Sequence, residues 1–509
     1  MNVRWSEIDR RSATNRSKKR AVKSIERKPD RGRDEYAAQS DLCRAISPIY
    51  YLGKACGLIP VRFIARASGR YQARLSILDL IYSLCVLTLL LGAEIWGLWR
   101  DMKDGWEHST RLKSRTAVIA TCSDVLGVMS LTVVCIVGSP FRWKYLEVAI
   151  NKLIEVDERL GVPAGRKTRL FTICLTVCSL AYLWFNSILD FSTWTRHTKI
   201  SRPLTDKGPI NYAPLYFMYT VIISTELQYS VSTYNLSQRF VRLNNSLRNL
   251  LDSGILSSVV YSSANPIETV VTADVHDRRL NIVSGRQLEL GNHRVLGNSG
   301  QRKSLIRVSV YSISMLIAES GIPELILIHS LLCDTVSLIN NTFGVVILAV
   351  TTTCLLHLVI TPYFLILQAG EEHEWIFLAV QGMWCIFHVT RMLIIVQPSY
   401  STVAEAKKTA VLVSQLLSSS FDASTRHQLE IFSLQLLHRP LEFSVCGLFS
   451  LDRTLITSIT GAVTTYLVIL IQFQNADDTQ GQVDRLKNAT QILKNASTLQ
   501  NLAGMKTVL

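Results

Sequence analysis

The chain is 509 residues long, 48% hydrophobic and only 18% charged, with a formal net charge of +15. A soluble protein of this size carries about 25% charged residues. Here the mean hydropathy is +0.23 and the charge sits between long apolar runs, which excludes an ordinary soluble enzyme and indicates an integral membrane protein. Excess Lys and Arg would also suit nucleic acid. The basic residues lie in an N-terminal arm and in alternate loops, so they read as membrane topology, and no nucleic-acid partner is expected.

Most of the 11 cysteines lie within apolar runs, such as Cys85, Cys122, Cys135, Cys174, Cys178, Cys354 and Cys385, and no CxxC pair has zinc spacing. They read as buried apolar thiols, with no metal and no cofactor expected.

Residues 1–44 form a basic arm, whose first 40 residues hold twelve Lys or Arg, including Lys18, Lys19, Arg20, Arg31 and Arg33. The apolar core of a cleavable signal peptide is absent there, so the first span is expected to serve as the insertion signal. About 20 apolar residues cross a bilayer. By that measure seven transmembrane helices are predicted, at 76–98, 116–138, 169–190, 213–236, 343–368, 375–397 and 452–474. The fourth is interrupted by Glu226 and Gln228, and the fifth contains His357 and Pro362, which a helix facing other helices tolerates.

The predicted organisation is spans one to four within 45–242, a cytoplasmic connection at 243–342, spans five and six within 343–397, a cytoplasmic segment at 398–451, the last span at 452–474 and a tail at 475–509. Residues 250–305 are rich in Ser, Asn, Gly and Arg and read as a mobile insertion. In the 398–451 segment Val411, Leu412, Leu416, Leu417, Leu429, Phe432, Leu436 and Leu437 recur at helical spacing. Such amphipathic helices suit either a subunit-assembly domain or the inner leaflet surface. No internal repeat is apparent, which disfavours inverted-repeat transporters.

Loop charge orients the stack. Lys and Arg are dense in the arm, in the second-to-third loop (Arg142, Lys144, Lys152, Arg159) and in the fourth-to-fifth connection (Arg239, Arg242, Arg248), while the fifth-to-sixth turn, GEEHE, has none. The positive-inside rule places the N-terminus in the cytoplasm and the C-terminus outside. Sequons at Asn488 and Asn495 suit an outside tail, although Asn15 and Asn340 also begin sequons on the predicted inner side.

The last span contains Thr465-Tyr466, five apolar residues, then Gln472-Phe473. This resembles the seventh-helix signature of insect gustatory receptors. The stretches NNTFGVVILAVTTTCLLHLV at 340–359, WCIFHVTRMLIIVQP at 384–398, LDFSTW at 189–194 and FSVCGLFSLDRTLITS at 443–458 are similar to the fructose-receptor branch of that family. The resemblance runs from about residue 44 to residue 474. It implies the insect chemoreceptor channel fold, a plasma-membrane cation channel gated by a sugar, fructose in this branch. Four copies would surround one pore, with other gustatory receptors as alternative subunits. Each would carry a pocket open to the outside and use the cytoplasmic segment for assembly. Lipid is the only other partner implied.

For the pore, the resemblance points to Thr465, Tyr466, Ile469, Gln472 and Phe473. Hydroxyls and amides of several such helices would face water, and Phe473 near the outer end would close a dewetting ring. Ordinary packing by small polar residues fits the same composition. For the pocket, Asp124, Tyr363, Gln381 and Trp384 fall roughly 8–13 Å below the outer ends of their helices at 1.5 Å per residue, and Trp194 stands at the outer mouth of the third. Flat rings suit a sugar's C–H faces, and amides or carboxylates suit its hydroxyls. A carboxylate within a span is a functional candidate, or else a structural hydrogen-bond partner for a neighbouring helix. Gln381 and Trp384 share a helix face and resemble a pocket pattern of the fructose branch, and His388 and Arg391 continue that face inward. A G-protein-coupled receptor and a transporter are the rival classes. Against the former stand the basic arm and the lack of an acidic-Arg-Tyr triplet and of NPxxY. No catalytic constellation stands out, so no enzyme is expected.

Overall fold

The computed structural model describes residues 45–65, 70–103, 115–161, 166–201, 208–262, 271–273, 280–282, 310–368, 375–419 and 421–506. The basic arm, most of the 250–305 insertion and the GEEHE turn lie outside the described residues.

Residues 45–55 form α1. A hairpin follows, β1 (Val61–Ala65) antiparallel to β2 (Tyr71–Leu75). Then come α2 (Ile77–Lys103), α3 (Arg115–Val137), α4 (Ser139–Leu160), α5 (Arg166–Ser201), the single turn α6 (Gly208–Asn211) and α7 (Ala213–Ser262). A short hairpin, β3 (Val271–Ala273) with β4 (Leu280–Ile282), precedes α8 (Val310–Gln368), α9 (Trp375–Leu417) and α10 (Ala423–His438). The last hairpin, β5 (Ser444–Val445) with β6 (Phe449–Ser450), leads into α11 (Arg453–Lys506).

Among the described residues six helices are long and apolar enough to cross a membrane, within α2, α3, α5, α8, α9 and α11. The fourth predicted span, in α7, falls short of that hydropathy for a physical reason. From residue 213 to residue 244 only Phe217 is exposed, so α7 is the central helix and its side chains meet protein instead of lipid. A helix in that position tolerates Glu226 and the run of Ser and Thr that lower its hydropathy.

Four helices far exceed a bilayer, one of them α11 with 54 residues. α7, α8 and α9 contain 50, 59 and 43 residues, or roughly 75, 90 and 65 Å at 1.5 Å per residue, against a hydrocarbon core about 30 Å thick. Beyond the membrane their extensions pack together with α4 and α10 into a helical domain. The boundary predicted at 397/398 falls inside α9, which continues unbroken through Pro398 to Leu417.

Polar clamps hold this extension. Between α7 and α9, Tyr229 and Ser399 share a hydrogen bond of 2.6 Å, Asn244 Nδ2 donates to the Glu405 carbonyl at 2.9 Å, and Thr409 Oγ1 donates to Asn244 Oδ1 at 2.7 Å. Asp157 of α4 accepts from Arg239 and Arg242 of α7. Asp334 of α8 accepts from Lys152 of α4 at 2.9 Å and from Arg439, just past α10, at 2.6 Å. Asp422 caps α10, accepting from the Ser424 and Thr425 backbone N–H groups at 3.1 and 3.2 Å. In the last hairpin, Cys446 and Gly447 take φ of 52° and 73°, the paired left-handed conformation of a type I′ turn. The Glu442 carbonyl before that hairpin accepts from Asn340 Nδ2 at 3.0 Å. The start of α11 is thereby tied to α8.

The Arg239–Asp157 pair is 2% and 4% exposed. Removing one partner strands the other's charge, a loss of about 3–5 kcal/mol. Asp157→Ala is expected to lower markedly the melting temperature of the solubilised full-length receptor. Lys408→Ala breaks the exposed Lys408–Glu405 pair and is expected to change stability by less than about 1 kcal/mol. Equal effects in a fluorescence-detected thermal melt would refute the difference.

Candidate functional site

Five helices converge on one cavity. In α9, Gln381, Trp384 and His388 recur at three and four residues, so they line one stripe. In α8 the stripe is His357, Ile360, Thr361 and Phe364, and in the α6–α7 segment it is Tyr212, Leu215, Tyr216 and Tyr219. Asp124 from α3 and Asp190 from α5 complete a cavity of about 560 Å³, counted with its open mouth.

The walls are aromatic. Tyr216 and Trp384 are nearly parallel, at 14° with ring centroids 6.4 Å apart. Tyr219 lies 5.3 Å from Trp384 and 5.8 Å from Phe387. The polar groups are held in place. Tyr216 donates to Asp190 Oδ2 at 2.7 Å. Tyr212 donates to Asp101 Oδ2 of α2 at 2.8 Å, and Asn211 donates to Asp101 Oδ1 at 3.0 Å, which fixes the entry to α7. Asp124 Oδ1 lies 2.8 Å from His357 Nε2, a close polar contact without hydrogen-bond alignment. The other ring nitrogen of His357 faces the Thr353 carbonyl. His388 stacks on His357, with centroids 4.5 Å apart at 14°.

Beneath this floor Arg391 of α9 grips Glu226 of α7. Nη2 and Nε donate to Glu226 Oε1 at 2.6 and 3.0 Å, and both residues are almost wholly buried. Arg391 also lies 5.7 Å from the Tyr219 ring. The floor of the cavity and the axis of the bundle are one cluster: His357, His388, Tyr219, Arg391 and Glu226.

Of the residues singled out from the sequence, Asp124, Gln381, Trp384 and His388 line the cavity. Arg391 sits one layer below, committed to Glu226. Tyr363 is 1% exposed and is not part of the lining, because the cavity face of α8 carries Ile360, Thr361 and Phe364. Trp194 packs edge-to-face on Phe377, with centroids 5.2 Å apart, and also lies outside the lining. Sequence reasoning missed Asp190, Tyr212, Tyr216 and Tyr219 as lining residues and did not assign His357 to the site. The signals were present: an acid at the end of the third span, and Tyr at positions 212, 216 and 219, one helix stripe.

The predicted pore residues lie on a bare helix. Thr465, Tyr466, Ile469, Gln472 and Phe473 are all exposed, Tyr466 and Phe473 by 53% and 63%. The helix rests on α8 and α9 along its other side. Its hydroxyls are turned inward: Thr460, Thr464 and Thr465 donate to the carbonyls of Ile456, Thr460 and Gly461 at 2.9, 2.9 and 3.0 Å. What these groups present outward is oxygen lone pairs, the chemistry that attracts a cation.

Residues 46–477 match the 7tm chemosensory receptor family. The chain is 28% identical over 444 residues to the gustatory receptor for sugar taste 43a of Drosophila melanogaster, covering 84% of this chain and 98% of that one. In fold it is similar to the insect olfactory receptor OR5 from Machilis hrabei, with a TM-score of 0.54 at 15% identity, covering 86% of this chain and 99% of that one. The same receptor in complex with eugenol gives a TM-score of 0.52 at 14% identity, covering 84% and 97%. The chain therefore belongs to the 7tm chemosensory receptor family, as an insect gustatory receptor: a multi-pass plasma-membrane receptor and not an enzyme.

Proposed function

We propose that this gustatory receptor is a sugar-gated, non-selective cation channel, with fructose as its ligand. The cavity of α3, α5, α7, α8 and α9 is the sugar site, and α11 lines the pore of a homotetramer, with other gustatory receptors as alternative subunits. The observation that carries the reading is the cavity wall. The near-parallel Tyr216 and Trp384 stand among Asp124, Asp190, Thr361 and Gln381. Rings accept the C–H faces of a sugar, and carboxylate, hydroxyl and amide groups match its hydroxyls. The relative named for sugar taste, matched over 98% of its length, supports the ligand class. Fructose itself rests on the sequence resemblance.

The channel reading rests on α11. A span with a row of exposed Thr, Tyr and Gln is poorly suited to lipid, and copies of it around an axis would enclose water. The basic arm and loops support an N-terminus inside and a C-terminus outside. The extension built from α4, α7, α8, α9 and α10 would then be the cytoplasmic domain through which subunits assemble. α9 offers the mechanical link. It carries Gln381, Trp384 and His388 at the cavity and Gln397 and Tyr400 further on. Arg453, at the first turn of α11, donates to Gln397 at 3.2 Å and lies 4.0 Å from the Tyr400 ring. Sugar binding that moves α9 would move the foot of the pore helix.

Two sets of variants test this in a heterologous cell under voltage clamp. Gln381→Ala removes a hydrogen-bonding amide at a cost of about 1–3 kcal/mol, expected as a roughly 5- to 150-fold rightward shift in fructose dose response, and Trp384→Ala is expected to shift it at least as far. Normal sensitivity in both, at normal surface expression, would move the sugar site elsewhere. Phe473→Ala is expected to wet the outer constriction and raise the resting cation current. Unchanged resting and evoked currents would make Phe473 a packing residue.

A further inference from the structure

Among the described residues α2 contributes none to the lining of the sugar cavity, yet its last turns are fastened to the cavity wall. Much of this helix is bare of protein. Leu89, Trp96, Trp99 and Met102 are exposed, as suits a helix facing lipid. The opposite stripe is different. Glu94, Gly97 and Asp101, three and four residues apart, are buried, and α2 packs on α6 and α7.

That stripe is shaped for one close approach. A Cβ on Gly97 would lie 2.2 Å from the Asn211 carbonyl oxygen, so glycine is what lets the α6–α7 turn sit this near. The approach brings Asp101 to the turn. Its Oδ1 accepts from Asn211 Nδ2 and its Oδ2 from the Tyr212 hydroxyl, at 3.0 and 2.8 Å, and all three residues are buried. A bond from a phenol to a carboxylate is charge-assisted and strong. Tyr212 itself lines the cavity. One turn further on the arrangement recurs, where Tyr216 donates to Asp190 Oδ2 at 2.7 Å. Each phenolic proton is taken up by a carboxylate, so neither tyrosine has it to give a ligand, and what each offers is its ring.

We propose that Asp101 is a positioning residue for the sugar site: with Gly97 it anchors α2 to the α6–α7 turn, holds the Tyr212 ring in the cavity wall and so sets the receptor's sensitivity to sugar. The inference rests on the sugar reading of the cavity. Its physical basis is preorganisation. A ring already ordered in the free receptor loses no freedom when a sugar packs on it, whereas a ring released from Asp101 must be ordered at binding. The cost of ordering one side chain converts to roughly a 2- to 12-fold loss of affinity. Fructose carries no charge, so removing the carboxylate alters no long-range attraction.

The test is the fructose dose response of the full-length receptor under voltage clamp, with surface expression and maximal current recorded for each variant. Tyr212→Phe keeps the ring and removes the bond. Asp101→Asn turns one acceptor into a donor. Gly97→Ala drives α2 off the turn and leaves both side chains intact. Each is expected to shift the midpoint rightward by roughly 2- to 12-fold at unchanged maximal current. The double variant Asp101→Asn/Tyr212→Phe should shift no further than the larger single one, because both break the same bond. Should Asp101→Asn fail to reach the surface, Gly97→Ala takes its place in the double variant. Trp384→Ala, in the cavity wall, is the reference. A midpoint that moves with Trp384→Ala but not with Tyr212→Phe overturns the positioning role and leaves the sugar site standing. No shift with either removes the sugar site and this inference together. Single shifts that add in the double variant, or a fall in maximal current without a shift, also overturn it.

Discussion

The ion pair between Glu226 and Arg391 is the constraint on which the rest of the molecule turns. Both side chains are essentially inaccessible, Glu226 at 0% and Arg391 at 1%. Neither charge survives there without the other. The pair therefore fixes the register of α7 against α9, the most extensive helix contact in the structure. Once that register is set, Tyr219, His388 and Trp384 follow one and two turns above it on the two helices. The cavity floor is in this sense a consequence of the pair. Tyr219 and Phe387 pack over the guanidinium at 5.7 and 5.9 Å, so the aromatic wall and the ionic lock form one unit.

A second consequence concerns where burial ends. From residue 213 to residue 244 α7 gives almost all of its surface to protein, whereas among the described residues nothing covers Thr465 and Gln472 of α11. A monomer in lipid would leave Thr465 and Gln472 facing hydrocarbon. The same sequence economy that spends polar residues on α7 at the centre of the subunit spends them on α11 at its edge. The two helices with the fewest purely apolar faces are thus the scaffold of the site and the candidate lining of the pore.

Much of this was legible in the residues, and the limits are physical. The apolar runs located the membrane helices, because hydropathy reports lipid contact. The same measure was weakest for α7, which has almost none. Helical spacing placed Gln381, Trp384 and His388 together correctly. Depth along the helix did not fix the face of α8: Tyr363 stands at a suitable depth, but the residues turned to the cavity are His357, Ile360, Thr361 and Phe364. Arg391 was read as a pocket residue because its partner, Glu226, is 165 positions away, and spacing along one helix says nothing of a charge on another. Helix ends were also hidden. The apolar run ends at 397 and amphipathic spacing follows, yet the chain continues as one helix to Leu417, and the domain beyond the membrane is made by extending the spans themselves.

The central claim is that one chain holds both the sugar site and the ion path, linked through α9 to the foot of α11 at Arg453. It is tested most directly by reconstituting the purified receptor alone in a planar lipid bilayer and adding fructose. The account predicts single-channel cation currents whose open probability rises with fructose, with no G protein or other subunit present. Receptor that binds fructose in the same preparation but passes no current would contradict it.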